Sequence, residues 1–585
     1  MQIPVSVLLR TCLAFLAIGQ LSAAELQPAD LFPATTVAYA EISDPKALLD
    51  EVLDHPLTQH IQTLDVYRKA TESQGYRNFL TGRKLFELQI GTDWRPAFEA
   101  ISARGIYVGF DASTQGAAVL IRGKDEATVE NFRTKILELS RLNGTTVRDT
   151  DEYRGITVYK LDQGGAAAVR DWVVVTNNGE LGKSILDRLL SEESVAGESP
   201  VAEESLADSE LFVAAHQKKP AEAQLWSFIN LKSVRDAGAA QKMFEGQAEN
   251  PLAELLLGGI QSILQKSDWV TSDLTVETSG LTWKFATPFD PTWIPEQRAY
   301  FFGPDTQGHA PALPQIDETL LTVAAYRDVS AMWLRAGDLF NEEMNDKLAE
   351  ADAGLSTVFA GRDFGEEILG SFAPEIGIIV TRQSFEDVTP MPTIRLPAFA
   401  MVLKLRDPET MRSELRRTFQ SAIGFFNIVG AQNGQPQLEM DMKKVGDTDL
   451  ITSRYLPEKK DKDSPSAPII FNFSPSVSFT GDRFVLASTA TLARQLGTAP
   501  VQDARAANTS VALNAAVLRE TLADNREQLI SQNMLEEGHT REEAEAAIEL
   551  LLEIVRCFRG AGLELNAADN ELQLNLTIDV NEPPR

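Results

Sequence analysis

The sequence predicts an α+β fold built from two duplicated modules, each a largely antiparallel sheet packed with helices. The first observation is an internal repeat, because "AVLIRGKDEATVENFRTKI" from Ala118 is matched in register by "AMVLKLRDPETMRSELRRTF" from Ala400. A second matched pair is "DWVVVTNNGELGK" from Asp171 and "DRFVLASTATLAR" from Asp482. The element order is the other observation: adjacent strands are joined by hairpin-length turns, and helices fall between runs of strands. This order favours antiparallel sheets over a doubly wound parallel sheet.

Each module opens with an apolar strand that leads into helices. The first opens with "TTVAYAEI", which Ser43 to Pro45 bring to an end, and the second opens with "LLTVAAYRDV". Both continue through a long helical stretch to a short helix that begins with Asp and an aromatic residue, at Asp93 and at Asp363. Alternating apolar residues then predict a strand in each module, formed by Ile106, Val108 and Phe110 and by Ile376, Ile378 and Val380.

The later elements of each module are hairpins on either side of the strand that opens with Asp. In these Asp-led strands, Val173 to Val175 and Phe484 to Leu486 are consecutive apolar residues, which predicts central strands that are covered on both faces. The closing hairpins read "SDLTVETSGLTWKFAT" and "AGLELNAADNELQLNLTIDV". One strand face is formed in each copy by corresponding residues, Leu281, Trp283 and Phe285 in the first and Leu572, Leu574 and Leu576 in the second.

The repeats and the proline content define the predicted domains. Residues 1–24 form a signal peptide, 25–287 module 1, 288–314 a Pro-rich linker, and 315–585 module 2, a diverged repeat of module 1. The linker carries six prolines and an aromatic stretch, "WIPEQRAYFF", which we expect to pack between the modules. Two polar segments, the acidic loop from Ser191 to Glu210 and "PEKKDKDSPSAP" from Pro457, have compositions typical of irregular structure.

The N-terminus predicts an exported protein, periplasmic or secreted. Arg10 precedes the apolar run "TCLAFLAIG", which has the length of a signal-peptide core and is too short to span a bilayer. Ser22 and Ala24 occupy the −3 and −1 positions of a cleavage site before Glu25. No later segment reaches eighteen consecutive apolar residues, so we expect no integral membrane segment after cleavage.

The charge of the chain argues against polyanionic partners, and its two cysteines allow no disulfide in the mature protein. The chain has 84 acidic and 54 basic residues and a formal net charge of −30, which repels nucleic-acid backbones and anionic lipid. "LRT" before Cys12 is not a lipoprotein motif, and loss of Cys12 leaves Cys557 as the single cysteine. We expect Cys557 to be a buried thiol on an amphipathic helix that starts with a capping box, Thr540 and Glu543. The apolar stripe of that helix follows Ala544, Ile548, Leu551, Val555 and Phe558.

One motif resembles a phosphate-binding loop. "NNGELGKS" follows an apolar strand and ends at Ser184, as a Walker A loop would. That loop requires a glycine five residues before Gly182, but Asn177 stands there, and the matching "STATLAR" of the second copy lacks the Gly-Lys pair. We therefore exclude nucleotide binding at this loop.

Other chemical motifs are absent from the sequence. No pair of histidines has the spacing of a zinc site, and there is no "GxSxG" nucleophile elbow. "DTDEYRG" from Asp149 begins like a calcium loop, but Tyr153 and Lys160 stand at positions that need oxygen ligands, so we interpret the segment as a hairpin turn. The sequence thus predicts no catalytic, cofactor-binding or metal-binding residue and no cofactor. The five histidines are His55, His60, His216, His309 and His539.

Three segments carry a resemblance to a known family: "LFPATTVAYAEISDPKALLDEVLDHPLTQHI", "IGTDWRPAFEAISARGIYVGF" and "YRGITVYKLDQGGAAAVRDWVVVTNN". They resemble an uncharacterised family of secreted proteins from planctomycete-type bacteria that carries a domain of unknown function. The resemblance covers about residues 30 to 290, and the second half resembles the family as a diverged copy would. It implies export and an α+β fold, and no activity.

Two functions from different classes remain. The first is an exported, non-catalytic envelope protein that binds a partner, a glycan or an amphiphile between its two modules, because two similar lobes form a cleft. The alternative is an extracytoplasmic hydrolase that uses carboxylate chemistry. Whether the protein is an enzyme stays open at this point, with the binding protein favoured, and the ligand, the oligomeric state and the role of the acidic loop are open as well.

The cleavage site gives a direct test of export. The intact mass of the protein purified from its native host should correspond to a chain that begins at Glu25, because Ser22 and Ala24 satisfy the signal peptidase. The variant Ala24→Arg, with a large charged side chain at the −1 position, should accumulate uncleaved. A native chain that retains Met1 would contradict the prediction.

Overall fold

The computed structural model describes residues 26–63, 67, 71, 74–142, 150–160, 164–191, 204–238, 247–359, 361–386, 390–457, 469–501 and 506–581. The predicted signal peptide lies outside the described residues, as do residues 192–203 of the acidic loop and residues 458–468 of the second polar segment. The chain divides into two compact units. Unit 1 contains the residues up to Pro45 and Phe86–Lys219, and unit 2 contains Lys46–Leu85 and the residues from Pro220 onwards.

Strands and helices alternate in groups along the chain. The strands of unit 1 are β1 Thr36–Ile42, β2 Ile106–Asp111, β3 Gly116–Arg122, β4 Thr150–Tyr153, β5 Ile156–Lys160, β6 Gly165–Val169 and β7 Trp172–Thr176. Those of unit 2 are β8 Leu225–Asn230, β9 Trp269–Glu277, β10 Gly280–Pro288, β11 Thr319–Tyr326, β12 Phe372–Thr381, β13 Ala398–Leu405, β14 Leu438–Val445, β15 Thr448–Tyr455, β16 Ser476–Thr480, β17 Arg483–Ala487, β18 Thr509–Asn514, β19 Phe558–Ala568 and β20 Glu571–Val580.

The described helices are numbered in chain order. They are α1 Pro45–Leu53, α2 Pro56–Thr63, α3 Gln74–Ile90, α4 Trp94–Ile101, α5 Glu126–Leu142, α6 Gly179–Leu190, α7 Glu210–His216, α8 Leu231–Asp236, α9 Pro251–Leu264, α10 Val329–Leu334, α11 Ala336–Leu339, α12 Glu342–Val358, α13 Pro408–Gln432, α14 Ala490–Thr498, α15 Ala515–Asp524, α16 Arg526–Glu537 and α17 Arg541–Arg556. None of these helices is long and apolar enough to cross a membrane.

Each unit contains an antiparallel sheet. In unit 1 the strands pair in the order β1–β2–β3–β7–β6–β5–β4. In unit 2 the order is β8–β9–β10–β20–β19–β18–β11–β12–β13–β17–β16–β15–β14. The predicted α+β class with largely antiparallel sheets is confirmed.

The order of pairing repeats itself. The ladders among β1 to β7 recur among β11 to β17, and the run β8–β9–β10 recurs as β18–β19–β20. The first run lies in unit 2, although the sequence assigned it to module 1. Superposition of the two sequence halves and the boundaries of the predicted linker stay predictions.

The closing strands of the two copies pair with each other. β10 and β20 run antiparallel, with Trp283 opposite Leu576 and Phe285 opposite Leu574. In this register Trp283 and Phe285 each face the residue that the repeat aligns with the other. At the centre of this ladder Lys284 lies opposite Asn575, its own equivalent in the repeat.

The aromatic stretch of the predicted linker lies in the core of unit 2. Tyr300, Phe301 and Phe302 are at most 1% exposed. They pack with Ile263 of α9 and Phe340, which follows α11, in one hydrophobic cluster. The segment is thus anchored by burial of large apolar area.

Helix α17 and the Cys557 thiol agree with the sequence prediction, except at one position of the apolar stripe. Thr540 and Glu543 form the predicted capping box, and Cys557 is a buried free thiol. Burial raises the pKa of that thiol. The predicted stripe was wrong at Leu551, which is 38% exposed, because the helix turns its neighbour Leu552 into the core instead.

The Asp-led strands are central, as predicted. β7 lies between β3 and β6, and β17 lies between β13 and β16. The expectation that both faces are covered was wrong. Val174 is 2% exposed, whereas Val175 is half-buried and Leu486 is 44% exposed. Alternate side chains point to opposite faces, and α6, which packs on β7, covers the face that Val174 occupies.

Replacement of Val174 by Asp should unfold or strongly destabilise unit 1. A carboxylate at this buried position has no partner, and its burial costs roughly 3 kcal/mol or more. Urea denaturation of the mature chain measures the cost. The control Val213→Asp, at a position of α7 that is 38% exposed, should cost less than about 1 kcal/mol. Equal denaturation midpoints for the two variants would contradict the burial of this face.

Candidate functional site

The register of unit 2 places a polar row on one face of its sheet. Side chains alternate between the faces along each strand, so one face of these hairpins carries apolar residues such as Trp283 and Leu576. The other face carries polar residues at matched positions on five neighbouring strands. In order across the sheet this polar row consists of Asp273, Lys284, Asn575, Glu564 and Ser510, each directly opposite the next.

The row is nearly symmetric about the β10–β20 ladder. Asp273 and Glu564 occupy equivalent positions of the repeat, and so do Lys284 and Asn575. Burial raises the pKa of Asp273, and the neighbouring ammonium of Lys284 opposes this shift. In order across the sheet, the polar row thus consists of an acid, a cation, an amide, a second acid and a hydroxyl.

A cavity of about 570 Å³ opens over the second half of this row, on β11, β18, β19 and β20. We call it the polar trough. Its charged residues are Arg559, Glu564 and Asp579, and Arg559 pairs with Asp579 at 3.3 Å. Its uncharged hydrogen-bonding side chains are Gln315, Thr319, Thr322, Asn514, Asn575 and Thr577.

Small residues form the floor of the polar trough. Ala512, Gly560 and Gly562 lie on the adjacent strands β18 and β19. A Cβ atom on Gly560 would lie 2.5 Å from the carbonyl oxygen of Leu513, and one on Gly562 would lie 2.6 Å from Oγ1 of Thr577. Contact with backbone therefore requires glycine at Gly560, whereas a side chain at Gly562 would displace the Thr577 side chain. Both glycines keep the floor lower than the polar side chains around it.

The polar trough contains an unsatisfied acceptor. Among the described residues, Oδ1 of Asn575 is buried and accepts no hydrogen bond. Buried carbonyl oxygens are almost always hydrogen-bonded in proteins, and an orphan costs about 1–3 kcal/mol. Oδ1 is closed to solvent in this conformation, so a ligand hydroxyl or amide hydrogen would remove that cost once the Asn575 side chain turns towards the cavity.

A second cavity of about 530 Å³ adjoins the polar trough and shares Gln315, Thr319 and Thr322 with it. The segment 310–317 forms one of its walls, and Ala324 and Ser510 of the sheet also line it. Backbone hydrogen bonds hold this segment at both ends, from Ala310 N to the carbonyl of Ala507 at 2.8 Å and from Gln315 N to that of Pro500 at 3.2 Å. The polar lining of the trough thus continues into this second cavity, along a segment that backbone hydrogen bonds hold in place.

Unit 1 contains a buried carboxylate that the sequence analysis missed. Glu41 of β1 is 6% exposed and accepts hydrogen bonds from the Tyr39 hydroxyl at 2.8 Å and from Lys219 Nζ at 2.5 Å. His216 Nε2 lies 3.3 Å from the same carboxylate, and its ring stacks on Phe212. Burial opposes ionisation, but these partners outweigh it and lower the pKa of Glu41 to about 2. Three surrounding donors saturate the carboxylate, so the arrangement is that of a structural ion pair.

The strand pattern contained a signal for Glu41. Val37, Tyr39 and Glu41 alternate on the buried face of β1, so an acid was due to point inward. Its partners His216 and Lys219 are more than 170 residues away along the chain, which is why spacing rules did not find them.

The loop that resembles a Walker A motif has the expected strand and helix on either side. Asn178 caps α6, and its Oδ1 accepts from the amides of Glu180 at 2.8 Å and of Leu181 at 3.1 Å. Those amides are therefore engaged within the chain. Lys183 lies over the ring of Tyr153, with Nζ 5.7 Å from the ring centroid.

The remaining sequence candidates also have structural roles in the described residues. Arg154 and Gly155, both with positive φ, form a two-residue turn between β4 and β5, so the hairpin interpretation of "DTDEYRG" is right, although Asp149 lies outside the described residues. His55 is buried, with Nε2 3.2 Å from the carbonyl of Glu277. Within the described part of the chain no three His, Cys, Asp or Glu side chains are grouped to hold a metal ion.

Comparison with known proteins shows little similarity. No family model matches the chain, and no curated protein matches it, so the resemblance to the planctomycete-type family stays a prediction. Among solved structures, crystal forms IV, III and I of TP0453 match at 10%, 11% and 12% identity, with TM-scores of 0.24, 0.23 and 0.22. The matches cover 45–46% of this chain and 80–83% of TP0453. TM-scores this low carry no argument about function.

The buried carboxylate predicts an acid-labile contribution to stability. The pKa of Glu41 is about 2 in the folded protein against an ordinary value of 4.5, so ionised Glu41 stabilises the fold above about pH 4.5. This contribution, about 3 kcal/mol, is lost as the pH falls from 4.5 towards 2. Wild type and Glu41→Gln should therefore differ most in free energy of unfolding at neutral pH and converge in acid. Glu152→Gln, on the exposed strand β4, is the control, and a gap that is constant with pH would contradict the assignment.

Proposed function

We propose that this chain is an exported, non-catalytic binding protein, and that the polar trough of unit 2 binds an uncharged, hydroxyl-rich ligand such as a stretch of glycan. The observation that carries the proposal is the orphaned Oδ1 of Asn575 within a lining of amides and hydroxyls. Amide and hydroxyl groups both donate and accept, which suits a ligand whose hydroxyls do the same.

The shape of the polar trough supports an extended ligand. It crosses four adjacent strands, which at about 4.8 Å per strand spacing gives roughly 14 Å of sheet. Ala512, Gly560 and Gly562 keep the floor low along β18 and β19. A chain-like ligand can therefore lie across the strands with its hydroxyls beside the flanking polar groups.

The charge of the molecule supports an uncharged ligand over an anionic polymer. The chain carries a formal net charge of −30, which repels polyanions at long range. Within the polar trough the base Arg559 is paired with Asp579. A neutral glycan avoids this repulsion and needs no counter-charge.

An amphiphile is less suited to this site, because few large apolar side chains are among its lining residues, which include Leu320, Val511 and Leu513. The location between modules that the sequence analysis favoured stays a prediction, as does export.

Binding can be tested by calorimetry on the mature chain with neutral oligosaccharides of several linkages. Gly562→Val raises the floor and Asn575→Leu removes the acceptor, and each should weaken binding at least tenfold, which corresponds to about 1.4 kcal/mol. Gln573→Ala, on the same strand outside the lining, should bind as wild type does. Thermal denaturation checks that the variants fold. Equal affinities for wild type and both folded trough variants would contradict the proposal.

The hydrolase alternative is favoured by one observation, the presence of Glu564 and Asp579 in the same lining. Asp273, the acid whose pKa burial raises, does not line the polar trough. Incubation with the same oligosaccharides should release no new reducing ends. Release that Glu564→Gln abolishes, with binding retained, would establish the hydrolase instead.

A further inference from the structure

We propose that unit 1 contains a second, independent site, a pocket that binds a small amphiphile with one negative charge, such as a fatty carboxylate of about ten carbons. The pocket has a volume of about 360 Å³ and lies between the β4–β5 hairpin and helix α6, above β6 and β7. It shares no residue with the polar trough, so evidence against one proposal leaves the other unaffected.

The inner wall of the pocket is apolar. Val158, Ala167 and Val174 lie directly opposite one another on three adjacent strands, and Leu186 of α6 also lines the pocket. A 150 Å³ apolar cavity is large enough for benzene, so 360 Å³ holds roughly twice as many carbons. Hydrocarbon buried here gains about 0.8 kcal/mol per methylene group.

The mouth of the pocket is charged. Lys183 of α6 and Lys160 of β5 both line it. Lys160 pairs with Asp151 at 3.1 Å, whereas Lys183 is exposed and lies over the ring of Tyr153. Lys183 is therefore the cation that a ligand carboxylate would meet. Glu152 also contributes to the lining, but the alternation of β4 sends its side chain to the face opposite that of Asp151.

Two hydrogen bonds at one end of the pocket hold the hairpin in place. The Tyr153 hydroxyl donates to Asp187 Oδ2 at 2.8 Å, and Arg154 Nη1 donates to Asp187 Oδ1 at 2.7 Å. Both bonds join the end of the hairpin to α6. They keep the two walls at a fixed separation without filling the space between them.

The second copy of the repeat shows that the fold does not require this opening. At the equivalent place Leu450 stands for Val158, Ser478 for Ala167 and Ala493 for Gly182. Ser478 Oγ donates to the carbonyl of Ala493 at 2.9 Å. Leu450 and Ala493 lie in one buried cluster, so α14 packs directly on β15 and β16.

The pocket of unit 1 therefore arises from its side chains and not from its topology. Val158 and Ala167 are smaller than their counterparts Leu450 and Ser478. Leu186 of α6 corresponds to Gly497, which lets α14 approach the sheet closely in the second copy. An unfilled apolar cavity costs stability, and bound hydrocarbon would recover that cost.

The test uses calorimetry on the mature chain with decanoate, decanol and decyltrimethylammonium below their micelle concentrations. Decanoate should bind most tightly. Lys183→Met should weaken decanoate at least fivefold and leave decanol unchanged. Ala167→Leu, which fills the pocket, should remove binding of both. Arg494→Met, at the position of α14 equivalent to Lys183, is the matched control and should bind as wild type does.

Thermal denaturation separates a filled pocket from a misfolded unit, because Ala167→Leu should keep or raise the melting temperature. Decanoate affinity that is unchanged in folded Ala167→Leu would overturn the proposal, since it would place the ligand elsewhere. Tighter binding of decyltrimethylammonium than of decanoate would overturn the assigned charge. Absence of decanoate binding to wild type would overturn the site as a whole.

Discussion

The core of unit 2 depends on one buried guanidinium group. Arg327 is 3% exposed and lies 3.5 Å from the centroid of the Phe301 ring. It donates to the carbonyls of Leu255 at 2.7 Å and Tyr326 at 2.5 Å and to Asn508 Oδ1 at 2.9 Å. Burial lowers the pKa of Arg327 to about 9, but its hydrogen-bond partners satisfy the cation. Because those partners belong to α9, β11 and the chain before β18, one side chain fixes their mutual positions.

The bonds around Arg327 also position the segment that leads to Gln315, a lining residue of the polar trough. Asn508, which accepts from Arg327, also donates to the carbonyls of Phe301 at 3.0 Å and Gly308 at 3.1 Å. A bidentate pair of Arg298 with Glu254, at 2.6 and 2.9 Å, ties the start of the same segment to α9. The segment that continues into residues 310–317 is therefore rigidly placed where it leaves the core. Together with the backbone bonds of Ala310 and Gln315, these side-chain bonds fix the wall of the cavity beside the polar trough.

The features that could be predicted from the sequence are those that a local pattern of residues determines. The order of strands and helices gave the α+β class, a run of consecutive apolar residues gave the central position of β7, and the helical period of α17 gave the buried thiol of Cys557. The sequence did not reveal the polar trough, because the trough forms where β11, β18, β19 and β20 lie side by side, and alternation within one strand does not say which strand lies next to it. Glu41 was visible as an inward-pointing acid, but its partner His216 is brought near by the fold alone.

The pairing of two repeated strands also explains why the polar trough has its orphaned acceptor. When equivalent strands pair antiparallel, the register can set one residue opposite its own counterpart, and here that residue is Lys284 opposite Asn575. Two lysines at this place would set like charges directly against each other, which is destabilising in a sheet. Asparagine in one copy removes the repulsion and puts an amide beside Glu564 on the neighbouring strand. Divergence of the copies at their junction thus creates an uncharged polar group with an unused acceptor, and the ligand that we propose for the polar trough is one that can donate to it.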